Sequence, residues 1–230
     1  GGGGFEGLLS KKQTKIDDID LGTGKVIKIH HTYLKKKTIN KDTIANAVKE
    51  LMDKGATVIV ASEAFGVDDI SEEEQVQAVA EEKNIPVTVA SDISKLYGLT
   101  RRTRTAAINA SILPKMFETA TSTESSVRKA GIKVPLMIMR GDGGVMDISE
   151  MKKRPVLTML SGPAASVVGA LMYLRASNGV YFEVGGTSTN IGVIKNGRPA
   201  VDYAIVGGHS TYISSLDVRV LGVAGGSMVR

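Results

Sequence analysis

The segment VYFEVGGTSTNIGVIKNG, Val180 to Gly197, contains the residues of this chain that are best suited to bind an anion. Gly185 and Gly186 follow an apolar run, and three hydroxyl residues come directly after them: Thr187, Ser188 and Thr189. Glycine lets backbone amide groups approach an anion without a Cβ in the way, and hydroxyl groups add further donors. Residue types alone leave two interpretations open, a phosphate-binding hairpin or an ordinary hairpin that uses glycine for its turn.

Glu183, just before this glycine pair, is the candidate metal ligand. Mg²⁺ in nucleotide sites usually keeps several waters and few protein carboxylates, so one glutamate could hold it through water. The chain has no Cys and only three His. Adjacent His30 and His31 lie in an alternating segment, so we expect them to face apart, one partly buried and one solvated. The sequence identifies no catalytic residue.

Two further glycine motifs could bind an anion. Ser161-Gly162-Pro163 precedes a predicted helix, with Ser161 as the expected cap and Pro163 in the first turn, and helix N-termini bind anions. At the end of the chain, LGVAGGSMVR predicts a strand followed by a second candidate loop: Gly225, Gly226 and Ser227. Each motif is also typical of a tight turn. The pattern G-x-x-x-x-G-K-S/T is absent from the sequence, which excludes a P-loop.

Taken together, three stretches resemble the hydantoinase/oxoprolinase family: RPVLTMLSGPAASVVGA (Arg154 to Ala170), FEVGGTSTNIGVIKNG (Phe182 to Gly197) and LDVRVLGVAGGSMVR (Leu216 to Arg230). Residues from about Thr38 to Gly144 look like the preceding part of the same family. The resemblance implies an α/β chain with part of the actin/Hsp70/sugar-kinase-like (ribonuclease H-like) ATPase fold, in which helices flank mixed sheets. It also implies ATP and Mg²⁺ as cofactors, with the GGTST loop contacting ATP phosphates and Glu183 serving the metal.

The chain departs from the family pattern at several places. The family usually has Asp where this sequence has Glu183 and Asn190. A first phosphate hairpin of the type D-x-G-G-T-F-T-D, expected near the family's N-terminus, is not found, and neither is the family's long downstream portion. We therefore expect a fragment or excised domain of a larger ATP-dependent enzyme.

The resemblance implies a hydrolase of small cyclic amides such as hydantoin or 5-oxoproline. ATP would phosphorylate the amide oxygen and so make the carbonyl open to attack by water. The expected partners are the cyclic amide and either further copies of the chain or a hydantoinase B-type subunit. Two alternatives stay open: an ATP-dependent ketone carboxylase subunit, and a non-catalytic module that binds nucleotide or docks onto partner subunits.

The elements that position these motifs begin with an α/β pattern. KVIKIHHTYL, Lys25 to Leu34, alternates and predicts a strand. Asn40 should cap a helix that Gly55 ends, and TVIVAS, Thr57 to Ser62, predicts a buried strand.

The same pattern continues along the chain. Ser71 and Glu74 predict a capping box for a helix that runs to about Lys83, and Pro86 introduces the strand VTVAS. Helices between strands predict crossover connections.

One long helical region is predicted from Arg101 to Gly131, with a boundary or kink near Pro114. Three arginines cluster at its start: Arg101, Arg102 and Arg104. We interpret them as solvated or paired with carboxylates, because cations at a helix N-terminus oppose the dipole and no aromatic residues interleave with them. Beyond it we expect a helix to about Ala176, then strands and glycine turns that include an Asn196-Gly197 hairpin turn.

Charge and hydropathy narrow the function classes. The chain has 230 residues, and its 29 basic and 24 acidic residues give a net charge of +5. The basic residues are scattered, so no nucleic-acid partner is expected. No apolar run approaches the ~18 residues of a membrane span and no signal peptide is recognisable, which predicts a cytoplasmic protein without a membrane contact.

The predicted organisation has three regions. Residues 1–24, which open with Gly1 to Gly4, are interpreted as a linker or terminal segment. Residues 25–130 form an α/β N-terminal hydantoinase-type region. Residues 131–230 form the start of a hydantoinase A-type ATPase domain that carries the phosphate hairpin.

Overall fold

The computed structural model describes residues 4–22, 24–175 and 177–228, which form a mixed α/β protein. Gly1, Gly2 and Gly3 of the leading glycine run therefore lie outside the described residues, as do Val229 and Arg230. The helices are α1 Gly4–Thr14, α2 Lys41–Asp53, α3 Ser71–Glu82, α4 Ala90–Ile93, α5 Leu99–Lys129, α6 Ile148–Lys153 and α7 Ser161–Leu174. Short 3-10 turns cover Lys36–Thr38 and Pro155–Thr158.

Twelve strands are described, mostly short ones. They are β1 Ile19–Asp20, β2 Val26–Ile27, β3 Ile59–Ala61, β4 Val87–Val89, β5 Met137–Met139, β6 Val145–Asp147, β7 Gly179–Val184, β8 Thr189–Lys195, β9 Arg198–Pro199, β10 Val201–Val206, β11 His209–Leu216 and β12 Val218–Leu221. None of the described helices is both long enough and apolar enough to cross a membrane.

The chain divides into two compact units. Unit 1 comprises the residues up to Thr119 together with Ile205–Tyr212, and unit 2 comprises Ala120–Ala204 and the residues from Ile213 onward. Helix α1 and strand β1 fall within residues 1–24, the segment interpreted from sequence as a linker. The domain boundaries deduced from the sequence stay a prediction.

Unit 1 is built on a parallel pair of strands. Strands β3 and β4 pair in parallel, with Ile59 opposite Val87, and helix α3 connects them, as the α/β pattern predicts. The core brings α2, β3 and α3 together through four buried side chains: Ile44, Val48, Ile59 and Val79. The spacing of apolar residues in α2 is therefore that of a helix with one buried face.

Asn40 caps helix α2 as the sequence predicts. Its side chain accepts from the Thr43 amide at 2.9 Å, and the Thr43 hydroxyl accepts from the Asn40 amide at 3.0 Å. At the other end Gly55 adopts a φ of +96°, which glycine tolerates best.

The predicted strand from Lys25 to Leu34 is wrong beyond its first residues. Only Val26–Ile27 pairs, with β1. After that point Asp18 holds the segment through its side chain, which accepts from the Ile29 amide at 2.8 Å and from Lys28 Nζ at 2.7 Å. His30 is exposed and His31 half-buried, as expected, and His31 Nε2 lies 3.0 Å from the Thr14 hydroxyl.

The start of α3 and the end of β4 also differ from the prediction. Ser71 does not cap α3: it is the first residue of the helix and Ile70 occupies the cap position, while the Asp69 carboxylate accepts from the Ser71 amide at 3.0 Å. The predicted strand VTVAS stops at Val89. Ala90 and Ser91 belong to α4, where the Ser91 amide donates to the buried Glu73 carboxylate at 2.9 Å.

Helix α5 confirms the long helical region and contains Pro114. The prediction of solvated or carboxylate-paired arginines is wrong for Arg102, which is fully buried and donates to the carbonyl oxygens of Leu96 and Glu63. Arg101 donates to the Thr211 carbonyl oxygen at 2.8 Å, and its guanidinium stacks on the Tyr212 ring at 4.2 Å.

Unit 2 centres on an antiparallel sheet in the order β12-β8-β7, with β9 also paired to β8. The turn between β8 and β9 is the predicted Asn196-Gly197 turn, and both residues have positive φ, 52° and 71°. Helix α7 packs on this sheet through Ala164 and Val167. Ser161 does not cap α7: Leu160, in a left-handed conformation at φ 60°, occupies the cap position, and Pro163 lies in the first turn as predicted.

Candidate functional site

The sheet of unit 2 brings the two predicted glycine loops to one edge. Strand β8 runs between β7 and β12, and its first residue, Thr189, lies opposite Val184 of β7 and opposite Leu221 of β12. The loop of residues 185–188, the first glycine loop, joins β7 to β8. Residues 222–227, the second glycine loop, follow β12 directly. The two glycine loops therefore start at the same edge of the sheet, next to each other.

Backbone hydrogen bonds join the two glycine loops to each other. The Gly225 amide donates to the Gly185 carbonyl oxygen at 3.0 Å, and the Gly226 amide donates to the Gly186 carbonyl oxygen at 2.9 Å. The first loop is also closed on itself, since the Gly185 amide donates to the Ser188 carbonyl oxygen at 2.9 Å. These bonds use the carbonyl groups of the first glycine pair and the amides of the second.

The four glycines of these loops, Gly185, Gly186, Gly225 and Gly226, are not required by unusual backbone angles, and close packing requires glycine at Gly226 but not at Gly186. None of the four has a positive φ. A Cβ built on Gly226 would lie 2.6 Å from the Gly186 carbonyl oxygen, closer than real Cβ contacts allow. A Cβ on Gly186 itself would meet no atom within 4 Å. Gly186 therefore faces open space, while Gly226 allows the close approach of the two loops.

Three amide groups of the first glycine loop stay available. Within the part of the chain that the structure describes, the amides of Gly186, Thr187 and Ser188 donate to no protein acceptor. The hydroxyl groups of Thr187 and Ser188 likewise make no hydrogen bond among these residues. Consecutive amides without protein acceptors, next to hydroxyl groups, are the kind of donors that a phosphate group needs.

Two of the predicted ligand hydroxyls hold the loops in place. The Thr189 hydroxyl donates to the Val223 carbonyl oxygen at 2.6 Å, which ties β8 to the second loop. The Ser227 hydroxyl accepts from the Ala224 amide at 3.0 Å and thus closes the turn around the second glycine pair. Both residues lie at the predicted site, and both are already bonded within the loops.

Glu183 lies opposite Asn190 in the β7–β8 pair, and each carboxylate oxygen has a neutral donor. The Asn190 side-chain amide donates to Oε2 at 3.2 Å, and the Ser166 hydroxyl donates to Oε1 at 3.0 Å. Ser166 belongs to α7, and sequence reasoning missed it, although it lies within the stretch SGPAAS. These donors fix the direction of a carboxylate that remains exposed.

A carboxylate beside a phosphate-binding loop would repel the phosphate unless a cation lay between them. The described residues contain no group of three or more His, Asp or Glu side chains that could hold a metal ion by themselves. A single exposed carboxylate fits Mg²⁺ that keeps most of its waters and shares its charge with a phosphate. The residues present are therefore compatible with a nucleotide-bound Mg²⁺.

No described contact brings the third candidate anion motif, Ser161-Gly162-Pro163, to the two glycine loops. Ser161 and Gly162 form the first turn of α7, and a Cβ on Gly162 would meet no atom within 4 Å. Of α7, it is Ser166 that contacts the candidate site, through Glu183.

Comparison with known proteins identifies relatives of this chain. The family model described as hydantoinase/oxoprolinase matches residues 102–230, more than half of the chain. The γ subunit of acetophenone carboxylase from Aromatoleum aromaticum is 23% identical over 211 residues, covering 84% of this chain and 28% of that protein. 5-Oxoprolinase 1 from Arabidopsis thaliana is 25% identical over 222 residues, covering 94% of this chain and 17% of that protein.

A solved structure shares the fold. The ATP-dependent caprolactamase from Pseudomonas jessenii superimposes with a TM-score of 0.69 at 20% sequence identity, over 88% of this chain and 30% of that one. At this identity the match establishes the fold alone. The chain thus spans less than a third of the length of each of these relatives.

Proposed function

This chain belongs to the hydantoinase/oxoprolinase family, and we propose that its unit 2 binds Mg-ATP at the two glycine loops. The observation that carries the proposal is the pair of backbone bonds from Gly225 to Gly185 and from Gly226 to Gly186. They hold the first glycine loop in a shape that leaves the amides of Gly186, Thr187 and Ser188 without a protein acceptor among the described residues. Relatives that depend on ATP support the same assignment.

Each residue of the site has a defined part in this proposal. The amides of residues 186–188 and the hydroxyls of Thr187 and Ser188 bind phosphate oxygens, while Gly225, Gly226, Ser227 and Thr189 keep the loops together. Glu183 holds Mg²⁺ through water, with Ser166 and Asn190 directing its two oxygens. Asn190 is neutral, so the site has one protein carboxylate to offer the metal rather than two.

The reaction proposed for the whole protein is the ATP-dependent hydrolysis of a small cyclic amide of the hydantoin or 5-oxoproline type. ATP, when bound, would transfer its γ-phosphoryl group to the amide oxygen and leave as ADP. The carbonyl carbon then becomes open to attack by water, and phosphate leaves as the ring opens. The protein's part is to position the phosphates and to stabilise their charge by preorganised amide donors. No described residue is assigned to the amide ring.

Several finer features belong to the same proposal. We expect the actin-like ATPase arrangement for unit 2, a cytoplasmic location, and assembly with further copies of the chain or with a hydantoinase B-type subunit. A relative that is itself a γ subunit favours an assembly of several chains. The same relative is a carboxylase, which keeps an ATP-dependent ketone carboxylase as the second candidate.

Calorimetric titration with ATP tests the binding proposal. We expect ATP to bind in the presence of Mg²⁺ and binding to weaken by at least about tenfold, or 1.4 kcal/mol, in Gly186→Ala, because the new Cβ stands where the phosphate must approach. Gly179→Ala is the matched control, since Gly179 lies at the far end of β7 and a Cβ there also meets no atom within 4 Å. Equal affinity in the two variants, or no binding by the unmodified chain, would contradict the proposal.

ATP hydrolysis by a full-length protein that contains this chain tests the reaction. Hydantoin, 5-oxoproline and caprolactam should each be tried as activators, and stimulation by any of them supports an amide hydrolase. Stimulation only by a ketone with bicarbonate would favour the carboxylase. ATP binding without turnover under all these conditions would indicate a non-catalytic nucleotide-binding module.

A further inference from the structure

Unit 1 contains a group of charged side chains at the wall of a large cavity. The cavity has a volume of about 830 Å³, and Glu63 and Glu72 are among the residues that line it. Glu63 follows strand β3, whereas Glu72 lies in the first turn of α3. Nothing in the proposed nucleotide site uses these residues, which belong to the other unit.

One lysine serves both carboxylates. Lys36 Nζ lies 2.9 Å from Glu72 Oε1 and 3.7 Å from Glu63 Oε1. The remaining oxygens, Oε2 of Glu63 and Oε2 of Glu72, are buried and have no hydrogen-bond partner among the described residues. Glu63 is only 8% exposed. Two carboxylates thus face one partly exposed ammonium group, and each carboxylate keeps one buried oxygen without a donor among the described residues.

The other charged groups around Glu63 are already engaged. Glu73 of α3 uses its carboxylate to accept from the Glu63 and Ser91 amides at 2.7 and 2.9 Å. Arg102 of α5 donates to the Glu63 main-chain carbonyl oxygen. Among the described residues near this pair, Tyr33 before the 3-10 turn and Asp69 before α3 are acidic groups, and neither can supply a positive charge.

A proton held between the two carboxyl groups would turn one of them into a hydrogen-bond donor to the other. Carboxyl groups that share a site cannot easily both ionise, so one stays protonated and donates to the other. Burial, reinforced by the neighbouring Glu72, raises the pKa of Glu63 to about 7, although Lys36 acts in the opposite direction. The hydrogen bond with Glu63 lowers the pKa of Glu72, as expected of the partner that accepts.

We propose that Glu63 and Glu72 share one proton at neutral pH, and that this proton is a latch that fastens the chain after β3 to the start of α3 at the wall of the cavity. Lys36 extends the latch to the 3-10 turn Lys36–Thr38. Loss of the proton leaves two adjacent carboxylates with one ammonium group between them. This edge of the cavity then opens more often, so access to the cavity depends on pH near neutrality.

The direction of the effect follows from proton linkage. Glu63 binds its proton more tightly in the folded unit than in the unfolded chain, where its pKa is about 4.5. Its contribution to stability is therefore fully present below about pH 4.5 and is lost as the pH rises through about 7. For this single group, the opening equilibrium should rise on the order of 100-fold between pH 5 and pH 8.

Glu63→Gln provides the decisive variant. Its side-chain amide donates to Glu72 as the protonated acid does, but it cannot ionise, so the fold is kept and the pH dependence is removed. Hydrogen exchange of residues 33–38 and 59–66, corrected for the intrinsic pH dependence of exchange, reports opening of the latch. Glu82→Gln is the matched control, an exposed carboxylate paired with Lys41.

The outcomes are distinct. We expect the protected amides of the unmodified chain and of Glu82→Gln to open more readily from pH 5 to pH 8, while Glu63→Gln shows little change. NMR of the labelled Glu63 carboxyl carbon should show titration near pH 7. The same pH dependence in Glu63→Gln, or titration of Glu63 at its ordinary pKa, would overturn the proposal. Neither readout involves ATP, so both are independent of the proposed function.

Discussion

Gly186 and Gly226 are the same residue type at two adjacent loops, but the structure gives them different roles. Gly226 is required because its backbone passes close to the Gly186 carbonyl oxygen. Gly186 has open space on its Cβ side, so a larger residue there is compatible with the fold. A substitution at Gly226 should therefore affect stability, and one at Gly186 should affect only a ligand.

Gly226→Ala should destabilise unit 2 by about 1–3 kcal/mol, the usual cost of overpacking, because the backbone of the first glycine loop must move. The free energy of unfolding, measured with urea, checks this. Gly186→Ala should change it by less than about 0.5 kcal/mol, as expected of a substitution into open space. Equal destabilisation by both variants would show that the two loops do not meet as described.

Both glycine loops could be predicted from sequence, but their mutual hydrogen bonds could not. The types Gly, Thr and Ser after a strand indicate an anion site wherever they occur. The contact between the two loops depends on the pairing of β12 with β8, whose partner residues are 26 to 32 positions apart along the chain. Ser166 could not be predicted as part of the site for the same reason, because its contact with Glu183 depends on how α7 packs on the sheet.

At the scale of elements, the sequence predicted a helix cap correctly where the two residues that form the hydrogen bonds lie close together along the chain. Asn40 and Thr43 are three residues apart and form the predicted cap of α2. Ser71 is a good cap by residue type, but it is the first residue of α3 and its amide donates to Asp69, two residues earlier. Both residue types are common at helix starts, so their competition could not be resolved from the sequence.

Asn40→Ala should lower the free energy of unfolding by about 1 kcal/mol, because the Thr43 amide at the start of α2 loses its side-chain acceptor. Asp69→Ala should cost a similar amount at α3, whereas Ser71→Ala should cost little. Urea unfolding of the three variants measures these differences. A larger loss for Ser71→Ala than for Asp69→Ala would restore the capping box that the sequence suggested.

Buried Arg102 is the clearest case in which an element's surroundings decide a residue's role. At the start of α5 it resembles its neighbour Arg104, and nothing local distinguishes the two. Arg102 is fully buried and donates to main-chain carbonyl oxygens that follow β3 and α4. Arg102 is buried because α5 packs against the segments that follow β3 and α4.

Arg102→Met should destabilise unit 1 by about 3–5 kcal/mol, because it leaves buried Glu73 and several carbonyl oxygens without their cationic neighbour. Arg104→Met is the matched control in the same turn and should stay within about 0.5 kcal/mol. Denaturant unfolding followed by circular dichroism measures both. Similar losses in the two variants would contradict the assigned roles.

At the scale of the whole molecule, all three family stretches fall within the residues that the family model matches. Those stretches contain the glycine motifs that can be recognised from the sequence alone. Unit 1 has no such pattern, and the Glu63–Glu72 pair, whose members come from different elements, could be found only in the structure. Composition and periodicity gave the α/β class, whereas the extent of the strands depended on side chains such as Asp18.

Hydrogen exchange of unit 2 with and without Mg-ATP tests the central claim most directly. At a ligand concentration about 100 times the dissociation constant, binding stabilises the bound state by about 2.7 kcal/mol. We predict slower exchange in residues 184–190 and 222–227 when Mg-ATP is added, weaker protection in Gly186→Ala at the same ligand concentration, and unchanged exchange in α2. Identical exchange of both glycine loops with and without saturating Mg-ATP would contradict the account.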